Sequence, residues 1–248
     1  MGNLEVVAHM KIRPGQLEGF TAQAAEILAL TRDKDTHTLR CDWFVTADRA
    51  ECEVHELFPD EQGLIEHKMN TMGPTEVLFR DYAHDHQAVI FGEVSAGFVE
   101  LVTQRMGPPT VFSFLQGLDG PGGLGPLEVA AHMKIRPGKR EGFTGQVAAI
   151  LRLTRENDTQ TLRYDWFIDL GATECQVHEA YRSEPGLIEH NAHVMAAREL
   201  LFTQYASDHQ MSVYGQISPQ LRDLFTKHAG GVREFTLLQG LGQPAPVS

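Results

Sequence analysis

From Glu5 to Ile12 the chain alternates, with Val6, Ala8, Met10 and Ile12 on one face and Glu5, His9 and Lys11 on the other. A period of two predicts a half-buried strand. Pro14-Gly15 then turns the chain. Phe20, Ala24, Ile27, Leu28 and Thr31 follow helical spacing, which predicts an amphipathic helix over residues 16 to 31. A second strand is expected from Thr38 to Val45, with Leu39, Cys41, Trp43 and Val45 on its apolar face and Arg40, Asp42 and Phe44 opposite. A third runs from Glu51 to Phe58, with Cys52, Val54, Glu56 and Phe58 on one face and Glu51, Glu53, His55 and Leu57 on the other. The loop between these two strands is short enough for a hairpin. Helical stretches follow from Glu61 to His67 and from Pro74 to Tyr82, Pro being acceptable in a first turn. A fourth strand (His86 to Phe91), a short helix (Phe98 to Thr103) and a closing strand (Thr110 to Leu118) complete the pattern.

The whole pattern then repeats. LEVVAHMKIRPG from Leu4 returns as LEVAAHMKIRPG from Leu127, and the offset of 123 residues holds without a gap to LQGL at Leu118 and Leu241. A match of this length indicates duplication. The reading is therefore a domain at 1–118, a Gly/Pro linker at 119–126, a second domain at 127–241 and a disordered tail at 242–248. Within a copy the order strand, helix, strand, strand, helix, strand is that of a ferredoxin-like α+β fold, with a helix and a strand added. Helices cover one face of such a sheet, and the other face must find cover or stay wet.

Composition changes this picture little. Hydrophobic residues make up 42% and charged residues 22% of the 248, as expected of a globular chain. The net charge of −12 argues against nucleic acid, which is bound through Lys and Arg. No apolar run approaches the ~20 residues of a membrane span, and the first residues show no secretion signal and no Ser or Thr at position 6 for myristoylation. Cys41, Cys52 and Cys175, odd in number and without CxxC spacing, suit small buried residues in a reducing cytoplasm.

The runs LRCDWF (Leu39 to Phe44), ECEVHE (Glu51 to Glu56) and GLIEH (Gly63 to His67), with counterparts at Leu162 to Phe167, Glu174 to Glu179 and Gly186 to His190, resemble the antibiotic biosynthesis monooxygenase domain. The Pro-Gly turn after the first strand is similar to that family as well. The resemblance covers each copy up to about residues 93 and 216. It implies a dimeric α+β barrel, in which two sheets pack by their helix-free faces. A tandem chain would supply both halves as two ferredoxin-like domains of an intrachain pseudo-dimer, with the last strand of each copy able to cross to the other. Further homodimerisation stays open. Members of that family include cofactor-independent oxygenases of quinols and anthrones, haem-degrading enzymes and proteins with no established reaction.

On the helix-facing side, the pattern places Trp43, Glu56 and His86, with His67 at the end of the covering helix; the counterparts are Trp166, Glu179, His209 and His190. The resemblance implies His67, His190, Glu56, Glu179, His86 and His209 as catalytic candidates. Trp43, Trp166, Tyr82 and Tyr205 are the candidates for holding an aromatic substrate. A carboxylate on an apolar face is expected to have a raised pKa, and an imidazole suits removal of a proton from a phenol or anthrone. No cofactor is required by that scheme. Structural readings stand beside each: Trp43 as core filler, Glu56 bonding backbone or Arg40, His67 placed by a helix dipole, His86 paired with Asp85.

The helix-free face carries His9, Arg40, Asp42, Glu51 and His55, and His132, Arg163, Asp165, Glu174 and His178. These form a polar network or, less simply, a metal site built from the four histidines. His37, His84, His193 and His228 have no counterpart in the other copy and are expected on the surface. Three functions compete: an oxygenase acting on a small aromatic substrate, a haem protein, and a non-catalytic module binding a small ligand or partner. Haem-degrading relatives use an Asn on the first strand and a Trp on the covering helix, whereas this chain has His9 and Met10 on that strand and no Trp between Gly63 and His67.

Overall fold

The computed structural model describes residues 3–118, 124–229 and 231–242. Two compact units emerge, the first taking residues up to Val111 and from Phe235 onward, the second running from Phe112 to Glu234. Most of the 119–126 linker, the tail beyond residue 242 and the His228 side chain lie outside the described residues.

The first unit contains β1 (Leu4–Ile12), α1 (Leu17–Lys34), β2 (Arg40–Thr46), β3 (Glu51–Phe58), α2 (Glu61–Val77), β4 (Ala83–Phe91) and α3 (Ala96–Met106). Its sheet is antiparallel throughout. β4 pairs with β1, β1 with β3, and β3 with β2. The far side of β2 is filled by β10 (Arg233–Gly240), where Leu237 opposes Phe44 and Gln239 opposes Trp43. The second unit repeats the plan with β6 (Leu127–Ile135), α4 (Arg140–Asn157), β7 (Thr161–Asp169), β8 (Glu174–Tyr181), α5 (Glu184–Gln204), β9 (Ala206–Tyr214) and α6 (Pro219–Ala229). Its matching edge strand is β5 (Thr110–Gln116), paired with β7. Each copy's closing strand thus completes the sheet that belongs mainly to the other copy.

The alternation read from the sequence sets the faces. Met10, Cys41, Trp43, Val45, Cys52 and Val54 are buried against Phe20, Ala24, Ile27 and Leu28 of α1. Phe143, Val147, Ile150 and Leu151 of α4 do the same over Trp166 and Val177. Each large apolar side chain removed from water stabilises by about 1.5–3 kcal/mol. Gly15 and Gly138 hold φ of 75° and 72° in the turn before α1 and α4, a conformation that carries little cost only without a Cβ.

Four details depart from expectation. The segments Glu61–His67 and Pro74–Tyr82 are one helix, not two, because Pro74 lies inside α2 and the chain finishes in a π-helical turn at Leu78–Tyr82. The second copy has Ala197 at that position and stays α-helical to Gln204. Proline removes a donor and displaces a carbonyl, so the local ladder loosens without the helix ending. β4 starts at Ala83 rather than His86, since a bulge with Asp85 at φ 53° lets the strand pair past Met10. Leu39 is exposed just outside β2, whose apolar face begins at Cys41. α3 extends beyond both ends of the stretch read from the sequence.

Candidate functional site

Asp60 caps α2 by accepting a hydrogen bond from the Gly63 N–H at 3.0 Å. From that start, Leu64, His67 and Thr71 recur at helical spacing on the buried face. His67 is 2% exposed. Its Nδ1 lies 2.7 Å from Asp35 Oδ2, and its Nε2 lies 3.2 Å from Glu56 Oε1. Asp35 ends α1, where its backbone N–H donates to Thr31 O. Its carboxylate also accepts from Asn70 Nδ2 at 2.8 Å and Thr38 Oγ1 at 2.8 Å. Glu56, on β3, receives Lys68 Nζ on both oxygens at 2.9 and 2.8 Å. The first unit therefore holds a chain of contacts from Asp35 through His67 and Glu56 to Lys68.

The expected raised pKa of Glu56 is corrected here. Burial does push it up, but the Lys68 ammonium and His67 overcome that and hold the carboxyl down at about 2. The cause is Lys68, which reaches an apolar face from solvent on a long stem. Among the described residues neither backbone nor Arg40 is the partner of this carboxylate; Arg40 bonds Asp42 at 2.7 Å on the other face.

The second unit keeps the acid, the imidazole and the threonine that bonds the acid, but changes several of the groups around them. His190 Nδ1 lies 2.7 Å from Asp158 Oδ2, and the other oxygen of Asp158 takes His193 Nδ1 at 2.7 Å. Thr161 Oγ1 donates to Asp158 at 2.7 Å. Burial raises the Asp158 carboxyl, yet hydrogen bonds from His190, His193 and Thr161 leave it below its usual value. His193 is exposed, as expected, and it also bonds Asp158. Glu179 does not engage His190; it accepts the Tyr181 hydroxyl instead. Asn191 stands where Lys68 does, Tyr164 where Cys41 does, and Tyr181 where Phe58 does. The Tyr164 ring meets His190 edge-on at 4.6 Å between centroids. Burial, and after it the Glu179 charge, pushes both phenols well up, so they stay protonated. No partner for His190 Nε2 occurs among the described residues.

The remaining candidates divide. His86 and His209 lie tilted against Phe79 and Phe202, with ring centroids 4.5 and 4.6 Å apart. Burial, with Lys68 as second cause, lowers His86, while burial and Arg198 bring His209 down to about 4. Asp85 pairs with Lys11 and His84 and not with His86. Trp43 and Trp166 lie in the cores, edge-on to Phe20 and Phe143 at 5.9 and 6.2 Å. Neither ring N–H reaches an acceptor at hydrogen-bond distance. Tyr82 and Tyr205 lie across the backbone of α1 and α4, where a Cβ at Gly19 or Gly142 would collide with the ring. On the other sheet face, His9 pairs with Glu51 and His132 with Glu174, each at 3.2 Å. His37 is an exposed partner of Glu66. Among the described residues no helix is long and apolar enough to cross a membrane.

Sequence reasoning missed Asp35 and Asp158. The signal was present: an Asp-Thr-x-Thr-Leu-Arg run directly after the first helix of each copy, kept while its neighbours changed.

No family model matches the sequence, and no curated protein matches it. Solved structures do match. A "Putative monooxygenase" from Fusobacterium nucleatum subsp. nucleatum superposes with a TM-score of 0.62 at 10% identity, over 85% of this chain and 90% of its own. A "putative monooxygenase" from Lactobacillus acidophilus gives 0.59 at 8% identity, over 85% and 92%. A "Putative antibiotic biosynthesis monooxygenase" from Nitrosomonas europaea aligns over 39% of this chain and 95% of its own, with a TM-score of 0.34 at 14% identity. At such identities the likeness is one of fold. The chain has the α+β fold of the first two structures, the fold that the sequence resemblance implies.

Proposed function

We propose that the chain is a monooxygenase acting on a small aromatic of the anthrone or quinol type, with His190 of the second unit as its base. The observation that carries this reading is the Asp158–His190 pair: Nδ1 is fixed by a carboxylate at 2.7 Å while Nε2 has no partner among the described residues. An imidazole oriented in this way can take a proton from a substrate placed at Nε2. The fold shared with two structures named as monooxygenases supports the same class. In the reaction, His190 removes a proton from an activated CH2 or phenol, and the electron-rich anion reduces O2. A CH2 group becomes a carbonyl, one oxygen atom enters the product and the other leaves as water, so the four electrons lost by carbon match those gained by O2. Tyr164 and Tyr181 supply neutral aromatic walls.

Oxygen uptake with a panel of anthrones and quinols tests it. Turnover by the wild type that disappears in His190→Gln is expected; no uptake with any of them contradicts the reading. A binding module without catalysis is the second reading, and one observation favours it in the first unit. There both nitrogens of His67 are engaged, by Asp35 and Glu56, so that ring serves structure.

A further inference from the structure

We propose that Cys41, Glu56 and His67 form a site for one divalent metal ion of borderline softness, with Zn2+ as the type, in the first unit only. This goes beyond the oxygenase reading and does not depend on it. One ligand atom from each of the three residues falls within a sphere where all lie within 4.8 Å of one another, and all three residues are buried. Thiolate, imidazole and carboxylate are the donors that Zn2+ takes in protein sites. Bond lengths of about 2.0–2.3 Å in a tetrahedron place ligand atoms about 3.3–3.6 Å apart. The 3.2 Å between His67 Nε2 and Glu56 Oε1 already has that spacing. Rotation of the short Cys41 side chain supplies the rest.

Three further features fit a metal rather than a plain polar cluster. First, Asp35 holds His67 Nδ1 at 2.7 Å, which fixes Nε2 as the nitrogen turned toward Glu56. A carboxylate behind a ligating imidazole is the usual way such a ring is oriented and made more basic. Second, the Trp43 N–H lies near the Cys41 sulfur yet reaches no acceptor at hydrogen-bond distance, and Trp43 is 3% exposed. A metal-bound thiolate would give this orphaned donor an anionic partner. Third, thiolate and carboxylate together match the two charges of the ion, with the Asp35 carboxylate standing behind His67 as a further negative charge. Lys68 occupies the cation's place in the metal-free state, and its half-exposed side chain can withdraw to solvent. Binding releases the thiol proton.

The second unit is an internal control. Tyr164 replaces the thiol, and Tyr181 occupies Glu179. Titration of the full chain with Co2+, followed by near-ultraviolet absorption and by bound-metal analysis, tests the proposal. One Co2+ per chain with a thiolate-to-cobalt charge-transfer band is expected. That band should vanish in C41S and persist in C52S and C175S. Removing the competing ammonium in K68M should tighten binding roughly tenfold. A wild type that shows no such band overturns the proposal whether or not C41S folds. So does a band unchanged in C41S. Oxygen uptake in H190Q plays no part in this readout, so the two proposals fail separately.

Discussion

His190 and Asp158 are joined by a 2.7 Å contact at Nδ1, as are His67 and Asp35, but only in the first unit does a second carboxylate, Glu56, also close on the ring. One duplicated pair thus sits in two surroundings. The difference traces to four substitutions between the copies: Lys68 to Asn191, Cys41 to Tyr164, Phe58 to Tyr181 and Asn70 to His193.

Asp158→Asn should keep the size of the residue while losing the charge that sets the His190 tautomer. Turnover is expected to fall by about a hundredfold or more, with a smaller change in KM, since the group acts on the base rather than on substrate binding. Steady-state oxygen uptake measures it. A change confined to KM would place Asp158 in substrate binding instead.

Lys68→Met should leave the Glu56 carboxylate buried with less compensation. A loss of about 1–2 kcal/mol near neutral pH is expected in urea unfolding, less than for a fully buried pair because Lys68 is half exposed. Glu56 is held at about 2 in the folded chain against 4.5 ordinarily. Its contribution is therefore complete above 4.5 and is lost as pH falls toward 2. In Lys68→Met the folded value moves back toward 4.5, so the loss on acidification should be smaller and complete at higher pH.

His209 contributes in the opposite window. Its folded value of about 4, against an ordinary 6.5, means that between these limits the unfolded chain binds a proton that the folded chain refuses. Stability should rise with pH from 4 to 6.5, this residue accounting for up to about 3 kcal/mol of the change. His209→Gln should flatten that slope in unfolding curves recorded across the range. An unchanged slope would show that His209 takes up its proton in the folded state.

Gly142→Ala adds a good helix former to α4, worth about 1 kcal/mol in an open helix. Here the new methyl meets the Tyr205 ring, and a net destabilisation of about 1–3 kcal/mol is expected. Gly142→Ala combined with Tyr205→Ala should recover part of the loss at the contact, a coupling that thermal unfolding of the single and double variants can read.

Ending the chain at Val232 removes β10 and should weaken the first unit, although every residue of the first copy remains. Gln239 Nε2 donates to Thr21 O at 3.1 Å, and Arg32 donates to Gly240 O at 2.7 Å, so α1 is tied to this strand. Trp43 lies in one unit and Trp166 in the other. Fluorescence of Trp43 in a Trp166→Phe background should report unfolding at lower urea in the truncated chain.

Much of the fold was legible because β1, β2 and β3 alternate cleanly and because the 123-residue repeat shows each element twice. Continuity of α2 through Pro74 was not legible, since it depends on packing that tolerates a missing hydrogen bond. The start of β4 was hidden by a bulge at Asp85, which shifts the period by one. At the site, the meeting of His67 with Glu56 followed from the faces of α2 and β3. Asp35 did not, because a residue in the loop after a helix belongs to no periodic face. Lys68 was passed over for a similar reason: adjacent to His67 on a helix, it reads as a solvent residue, and only its long stem brings the ammonium back to Glu56.

The most direct measurement compares oxygen uptake in His190→Ala and His67→Ala on whichever anthrone or quinol the wild type consumes. Loss of turnover in His190→Ala with activity largely kept in a folded His67→Ala is the result expected of one working unit and one locked unit. Equal loss in both, or activity that depends on His67 alone, would contradict it.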